Sequence, residues 1–246
     1  MGSPIALIEP PKEPAHAASR DRPRPQHDEH AGSGPSSELS VRYERPDSPR
    51  AERAQRLLKA SDALKTEVRL PERITVVARD CDAPKAGWDH GKREITICYS
   101  LVDQVNRTIK GISQTEETGE KATKARVRGA LSVLFHHELG HALTTLNGMA
   151  GGEAQADRFA ALTLVADTPG RVVAAAEARH LLAGHAGLDH LSGMAESATF
   201  ACLLYGADPG RYDKIAKGGW VPAGRAPACA DEYARARSAI GDKVKT

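Results

Sequence analysis

The stretch that most constrains the fold is residues 131–142, LSVLFHHELGHA. Apolar residues recur here at steps of four and three, which predicts an amphipathic helix. The stripe consists of Leu131, Phe135, Leu139, Ala142 and Leu146. His137 and His141 are four residues apart, so they share one helix face and can both reach a single metal ion. We expect the stripe on the opposite side, with one face of the helix packed and the other facing the metal.

Glu138 completes the pattern His-Glu-x-x-His. A carboxylate at this position lies beside the metal, where it can accept a proton from an attacking water. The pattern also occurs in unrelated helices whose histidines are ordinary core or surface residues. A second motif, further along the chain, favours the metal interpretation.

That second motif follows a predicted helix end and a short turn over residues 149–152, which is rich in glycine. Glu153 and Asp157 then lie four residues apart at the start of a second helix, EAQADRFAALTLVAD. Two helices folded back as a hairpin would bring the Glu153 carboxylate to the histidines. A catalytic zinc takes three protein ligands and leaves one position open. We therefore predict one Zn²⁺ ion, held by His137, His141 and Glu153.

Asp157 is one turn further along the same face. We expect its carboxylate to accept a hydrogen bond from the outer ring nitrogen of His137, which would fix the orientation of that ring. Two alternatives remain open. Asp157 could be the ligand, with Glu153 outside the metal site, or both carboxylates could simply stabilise the N-terminus of their helix.

Charge and length limit the class of protein. The chain has 246 residues, 34 basic and 32 acidic side chains, and a formal net charge of +2. This balance does not indicate nucleic acid or an anionic membrane as the main partner. No apolar run approaches the roughly 20 residues of a membrane span. Nine of the 15 prolines precede Arg50, which predicts a disordered arm over residues 1–50 and one domain over residues 51–246. The sequence indicates no oligomeric state.

The four cysteines suit two disulfides better than a zinc knuckle, because none lies in a CxxC arrangement. We expect Cys81–Cys98 to join two neighbouring strands, and Cys202–Cys229 to tie the last helix to the one before it. Disulfides imply an oxidising compartment, so we expect a secreted or periplasmic protein. The N-terminus does not read as a signal peptide. Removal of a signal, an internal start, or reduced cysteines in the cytoplasm would each account for that.

The rest of the chain reads as mainly helical. Residues 73–79 and 94–99 are rich in β-branched residues and predict two strands, which we expect to pair antiparallel. Helices are predicted over residues 51–64, 100–109, 121–146, 153–167, 169–183, 190–205 and 228–240, with a loop over residues 111–120 and an irregular segment over residues 211–225. The predicted fold class is α+β, with a small antiparallel sheet packed on a mainly helical body.

A group that stabilises an oxyanion is also needed. The candidates are His190, Tyr205 and Tyr99, although each could equally be structural. His136 points about 100° away from its neighbour on the helix, and we assign it to the core or to the surroundings of the ligands. The strand at residues 94–99 could offer an open edge to an extended peptide.

The two motifs together resemble the gluzincin metallopeptidases, the thermolysin-like group. That resemblance implies a zincin-like fold, a ligand set of His137, His141 and Glu153, and an orienting role for Asp157. The gap between His141 and Glu153 is shorter than in thermolysin.

The chain after about residue 73 also looks like a bacterial family of predicted, mostly exported metallopeptidases that carries a domain of unknown function. The matching segments are DCDAPKAGWDHGKREITICYSL, HHELGHAL, GGEAQADRFAALTL, FACLLYGADPGRY and PACADEYARA. In that family pattern Asp189 and His190 match an Asp/His segment, which favours His190 as a catalytic residue.

The sequence thus predicts a zinc peptidase that acts on a peptide or protein substrate, with Glu138 as general base. One alternative is a different zinc hydrolase of the deformylase or amidase type, in which Cys98 would be the third ligand. A free thiol at Cys98 would favour that alternative. The other is a zinc-stabilised binding module without turnover, against which the intact Glu138 argues.

Overall fold

The computed structural model describes residues 38–185, residue 188 and residues 193–241. Its four strands are β1 (Leu39–Tyr43), β2 (Ile74–Arg79), β3 (Ala86–Asp89) and β4 (Glu94–Cys98). Its helices are α1 (Pro49–Ser61), α2 (Tyr99–Thr115), α3 (Glu120–Leu146), α4 (Glu153–Asp167), α5 (Val172–Leu182), α6 (Met194–Ala207), α7 (Asp213–Lys217) and α8 (Cys229–Ile240), with one turn of 3-10 helix at Ala226–Ala228. This is an α+β protein in which helices predominate, as predicted.

The sheet is mixed, in the order β1-β2-β4-β3, which corrects the expected antiparallel pair. Strands β2 and β4 run parallel, and β4 inserts between β2 and β3. Among the described strands, only β3 and β4 pair antiparallel. β3 has the sequence AGWD, which is too short and too poor in β-branched residues to be recognised from its pattern. When β3 is not recognised in the sequence, β2 and β4 are the only predicted strands, and their short connection suggests a simple hairpin.

The position of β4 also corrects the expected open edge. β4 is hydrogen-bonded on both sides, whereas the edges of the described sheet are β1 and β3. An extended peptide therefore cannot add to residues 94–98, because their backbone groups are already paired.

The ordered domain begins before the predicted boundary at residue 50. β1 lies within the segment that we assigned to the arm and pairs parallel with β2, from Leu39 opposite Ile74 to Tyr43 opposite Ala78. The structure therefore extends the domain to include β1. Residues 1–37 lie outside the described residues, and the disorder of the arm stays a prediction.

Helix α3 lies at the centre of the described domain. It contacts α1, α2, α4, α5, β3 and β4. Its residues from Gly129 to Gly140 are buried on every face, including His136, His137 and Glu138. The expected division into one packed and one open face is therefore wrong for most of α3. A stripe of leucines is visible in the sequence, but the alanine, glycine and serine positions between them also pack, since neighbouring helices approach closely there.

Both expected disulfides are found. The sulfur atoms of Cys81 and Cys98 lie 1.98 Å apart, and those of Cys202 and Cys229 lie 2.01 Å apart. The first bridge joins the segment after β2 to the end of β4, and the second joins α6 to the start of α8. Within the part of the chain that the structure describes, no helix is long and apolar enough to cross a membrane.

Candidate metal centre

The centre is built on the hairpin of α3 and α4. Helix α3 ends at Leu146, Asn147 is its C-terminal cap, and Gly148 follows in the left-handed region at a φ of 62°. Gly148 N–H donates to Thr145 O, and Met149 N–H donates to Thr144 O, which satisfies the last carbonyls of the helix. The chain reverses within residues 147–152, and α4 begins at Glu153. Glu153, the first residue of α4, therefore lies beside the last turns of α3.

Gly140, between the two histidines, lets the hairpin close. A Cβ atom at this position would lie 2.2 Å from the carbonyl oxygen of Ala156, so any other residue would push α4 away. The two backbones are in contact at this point, and the side chains that flank it, His137 and His141 on α3 and Glu153 and Asp157 on α4, are brought within reach of one another.

Three potential metal ligands converge. The Nε2 atoms of His137 and His141 lie 3.1 Å apart. Glu153 Oε2 lies 3.0 Å from His137 Nε2, and Glu153 Oε1 lies 3.6 Å from His141 Nε2. One ligand atom from each residue falls within 4.8 Å of the others, and this is the one such group among the described residues. Two imidazoles and a carboxylate are a donor set that zinc takes in catalytic sites, so these residues fit the ion.

The cluster is open to solvent on one side. The side chain of His137 is 1% exposed, that of His141 is 23% exposed and that of Glu153 is 61% exposed. The cluster is thus shielded from solvent on the side of His137 and accessible on the side of Glu153. The accessible side leaves room for a water or a substrate atom. Such a half-open arrangement is typical of catalytic zinc sites, whereas a structural zinc site is closed by four protein ligands.

Asp157 contacts His137 from behind. Its Oδ1 lies 2.8 Å from His137 Nδ1, and its Oδ2 accepts a hydrogen bond of 2.7 Å from Arg179 Nη2. The carboxylate makes Nδ1 the protonated ring nitrogen and directs Nε2 towards the cluster. Because both oxygens of Asp157 are engaged away from His141, the geometry favours Glu153 over Asp157 as the third ligand.

The same contacts change the proton affinity of His137. Burial lowers its pKa, but hydrogen bonds to the Asp157 and Glu153 carboxylates outweigh burial and raise the pKa from 6.5 to about 9. A metal binds the imidazole only after Nε2 has lost its proton, so metal and proton compete for this nitrogen.

The remaining candidates are placed differently. Glu138 is 2% exposed and lies on α3 beside His137. The Tyr99 hydroxyl donates to Glu44 O at 2.7 Å and accepts from Gln55, so it ties α2 to the segment after β1. Tyr205 packs partly buried against the hydrophobic core. His190 lies outside the described residues.

His136 belongs to the core. It is fully buried, its Nδ1 donates to Ser132 O at 2.7 Å, and its Nε2 lies 3.3 Å from Asp167 Oδ2. Asp167 also accepts a hydrogen bond from the backbone N–H of Glu67. His136 therefore joins the far end of α4 to the segment before β2 and does not contact the ligand atoms.

The sequence motifs indicated neither Arg179 nor the role of Gly140. Arg179 is a fully buried charge on α5, on the same face as Val172, Ala175 and Ala176. A charge at an apolar position of a helix is a usable signal, because such a residue must be paired when it is buried. Gly140 carries no comparable signal, since its importance depends on how closely α4 approaches.

The structure also tests the cysteine-ligand alternative. Cys98 is bridged to Cys81, and none of the four cysteines is free. A thiolate at Cys98 is thus not available to a metal, which argues against the deformylase type.

The model of one protein family, described as "Putative metallopeptidase" (DUF4344), matches residues 43–240. These residues run from the end of β1 to the end of α8 and contain the complete cluster. No curated protein and no solved structure matches the chain. Since the match covers most of its length, the chain belongs to this family of putative metallopeptidases.

Proposed function

We propose that this protein is a zinc-dependent peptidase with a zincin-like, gluzincin-type site. The observation that carries the proposal is the half-open cluster of His137, His141 and Glu153 in a member of a metallopeptidase family. Zinc bound there would polarise the scissile carbonyl and make water more acidic. The buried carboxylate of Asp157 holds His137 for this task.

Glu138 is the general base. Its side chain lies on the same helix as both histidines, in a buried environment where a carboxylate interacts strongly with nearby charge. It takes the proton of the attacking water and returns it to the leaving amine, because the amine departs only when protonated.

We place the substrate along β3. This strand is an edge of the sheet and lies beside the C-terminal half of α3. Trp88 on β3 donates from Nε1 to Thr145 Oγ1 at 2.9 Å, one helical turn after His141. A peptide added to the free edge of β3 would run past the open side of the cluster.

The two disulfides support a secreted or periplasmic location, because such bridges persist in oxidising compartments. Peptides or proteins in that compartment are then the substrate class.

Cleavage of a mixed peptide library, followed by mass spectrometry, tests the proposal. Zinc-loaded wild type should cleave, whereas Glu138→Gln should retain one zinc per chain and lose about a thousandfold in rate, within the range for a general base. Glu120→Gln, an exposed change on the same helix, is the matched control and should cleave like wild type. Equal turnover by Glu138→Gln would remove Glu138 from the mechanism. Zinc binding without cleavage by any variant would favour the binding module.

A further inference from the structure

Arg179 is one of the largest fully buried side chains in the part of the chain that the structure describes, and it carries a charge. It lies on α5, which is held against α3 at Gly129, where a Cβ atom would come within 2.4 Å of Ala174 O. Placing a guanidinium in the interior is costly unless it is paired and hydrogen-bonded. The neighbours of Arg179 therefore indicate what offsets this cost.

Asp157 and Phe200 are two of the groups that contact the guanidinium. Nη2 donates to Asp157 Oδ2 at 2.7 Å, and the guanidinium carbon lies 4.7 Å from the centre of the Phe200 ring on α6. The other oxygen of Asp157 receives the hydrogen bond from His137 Nδ1. A continuous series of contacts thus runs from α6 through α5 and α4 to α3, and it ends at a ring that faces the cluster.

We propose that Arg179 is a positioning residue of the metal centre, acting through Asp157 on His137. If only one oxygen of the Asp157 carboxylate is held, the carboxylate can rotate about the Cβ–Cγ bond. Arg179 fixes the second oxygen, so that Oδ1 stays in line with Nδ1 and Nε2 stays directed at the ligand position. Phe200 in turn limits the movement of the guanidinium, whose carbon lies over the aromatic ring. This role deepens the proposed function and rests on its metal site, not on peptide cleavage.

A purely structural arginine would behave differently. If the Arg179–Asp157 pair only stabilised the packing of α5 on α4, its loss would lower the melting temperature of the protein and leave the folded site unchanged. A positioning residue also changes how tightly the site binds its metal, and the geometry at the metal. Metal affinity and metal spectroscopy separate the two roles, and neither depends on peptidase activity.

The experiment uses the full chain and two metal probes. Zn²⁺ affinity is measured by competition with a chromophoric chelator, and the visible spectrum of bound Co²⁺ reports the arrangement of ligands. Arg179→Met should weaken Zn²⁺ binding by about 10- to 100-fold, as for other residues that orient a metal ligand, and should alter the Co²⁺ spectrum. Arg179→Lys retains the charge and should recover part of the affinity, since an ammonium cannot fully replace the planar guanidinium.

Two further variants make the result decisive. Leu182→Ala, a buried change on the same helix, should lower the melting temperature while leaving affinity and spectrum as in wild type. In an Asp157→Asn background, Arg179→Met should cause no further loss of affinity, because the two act in series.

Wild-type affinity and spectrum in folded Arg179→Met would overturn the proposal. If that variant does not fold, Arg179→Lys decides: a lowered melting temperature with unchanged metal binding would show a structural role only. Absence of cleavage by a wild type that binds zinc normally would count against the proposed function and leave this inference standing.

Discussion

Two adjacent histidines on α3 have partners of the same kind but belong to different regions of the molecule. His137 contacts Asp157 near the start of α4, and His136 contacts Asp167 at the end of α4. Both rings are buried. The His136 and Asp167 side chains are enclosed on all sides, and Asp167 also accepts a hydrogen bond from the backbone N–H of Glu67. The region of His137, in contrast, contains two further candidate ligands, His141 and Glu153, and opens to solvent.

The comparison shows that a buried histidine–carboxylate pair is not by itself a sign of a metal site. What differs is the second nitrogen of each ring. In His136 both ring nitrogens are engaged by the protein, at Ser132 and Asp167. In His137 the protein engages Nδ1 from behind and groups the other nitrogen with His141 and Glu153. A metal site needs ligand atoms that converge on one point and a path to that point.

The largest expected effect comes from replacing His137 and His136, one at a time, by alanine. His137→Ala should abolish stoichiometric zinc binding and reduce cleavage by at least about a thousandfold, because only two protein ligands remain and Glu138 then has no metal-activated water to deprotonate. His136→Ala should still bind one zinc per chain but lose about 1–3 kcal/mol of unfolding free energy, since it leaves Asp167 without its partner. Zinc content by atomic emission and urea unfolding measure the two effects. Loss of zinc from a folded His136→Ala protein would erase the distinction between the regions.

A smaller effect is expected from the carboxylates behind the rings. Asp157→Asn should weaken zinc binding by about 10- to 100-fold, because an amide orients the His137 ring less strongly than a carboxylate. Asp167→Asn should leave zinc affinity within about twofold of wild type and act on stability only. Chelator competition on both variants, side by side, checks this. Similar affinities for the two variants would contradict the comparison.

The smallest effect concerns pH. Without metal, the pKa of His137 is about 9 in the folded protein against 6.5 for the free side chain, so protonation stabilises the fold. This stabilisation is fully present below pH 6.5 and is lost as the pH rises towards 9. Zinc competes with the same proton, so the increase in melting temperature caused by zinc should grow by several degrees between pH 6.5 and 8.5. Calorimetry in buffered zinc and in chelator measures it. An increase that shrinks with pH would contradict the assignment.

The candidate site was visible in the sequence because it is local. The i and i+4 spacing of two histidines, a glycine-rich turn and a second i, i+4 pair specify a hairpin, and α4 has the bounds that its pattern predicted. The role of Asp157 towards His137 also follows from helix geometry, since the two face each other across the hairpin.

The features that the sequence did not predict depend on contacts between distant parts of the chain. The sequence around His136 does not indicate that Asp167 is its partner. The sequence around Asp157 likewise does not indicate its contact with Arg179. The parallel pairing of β2 and β4 was missed because β3 is short, and β1 was missed because it follows a segment rich in proline. In each case the deciding contact joins elements whose separation along the chain leaves no periodic pattern.

The closeness of the ligands along the chain has a consequence for how the protein folds. His137, His141, Glu153 and Asp157 all lie within one hairpin, so their contacts require the closure of only a short loop, which costs little entropy. The parallel β1–β2 and β2–β4 pairs join strands that intervening elements separate, and such contacts form late. During synthesis the hairpin leaves the ribosome before Arg179 and before both partners of the Cys202–Cys229 bridge. The geometry of the candidate site can therefore arise before α5 and α6 pack against it, so that from α3 to α6 the order of assembly follows the order of the chain.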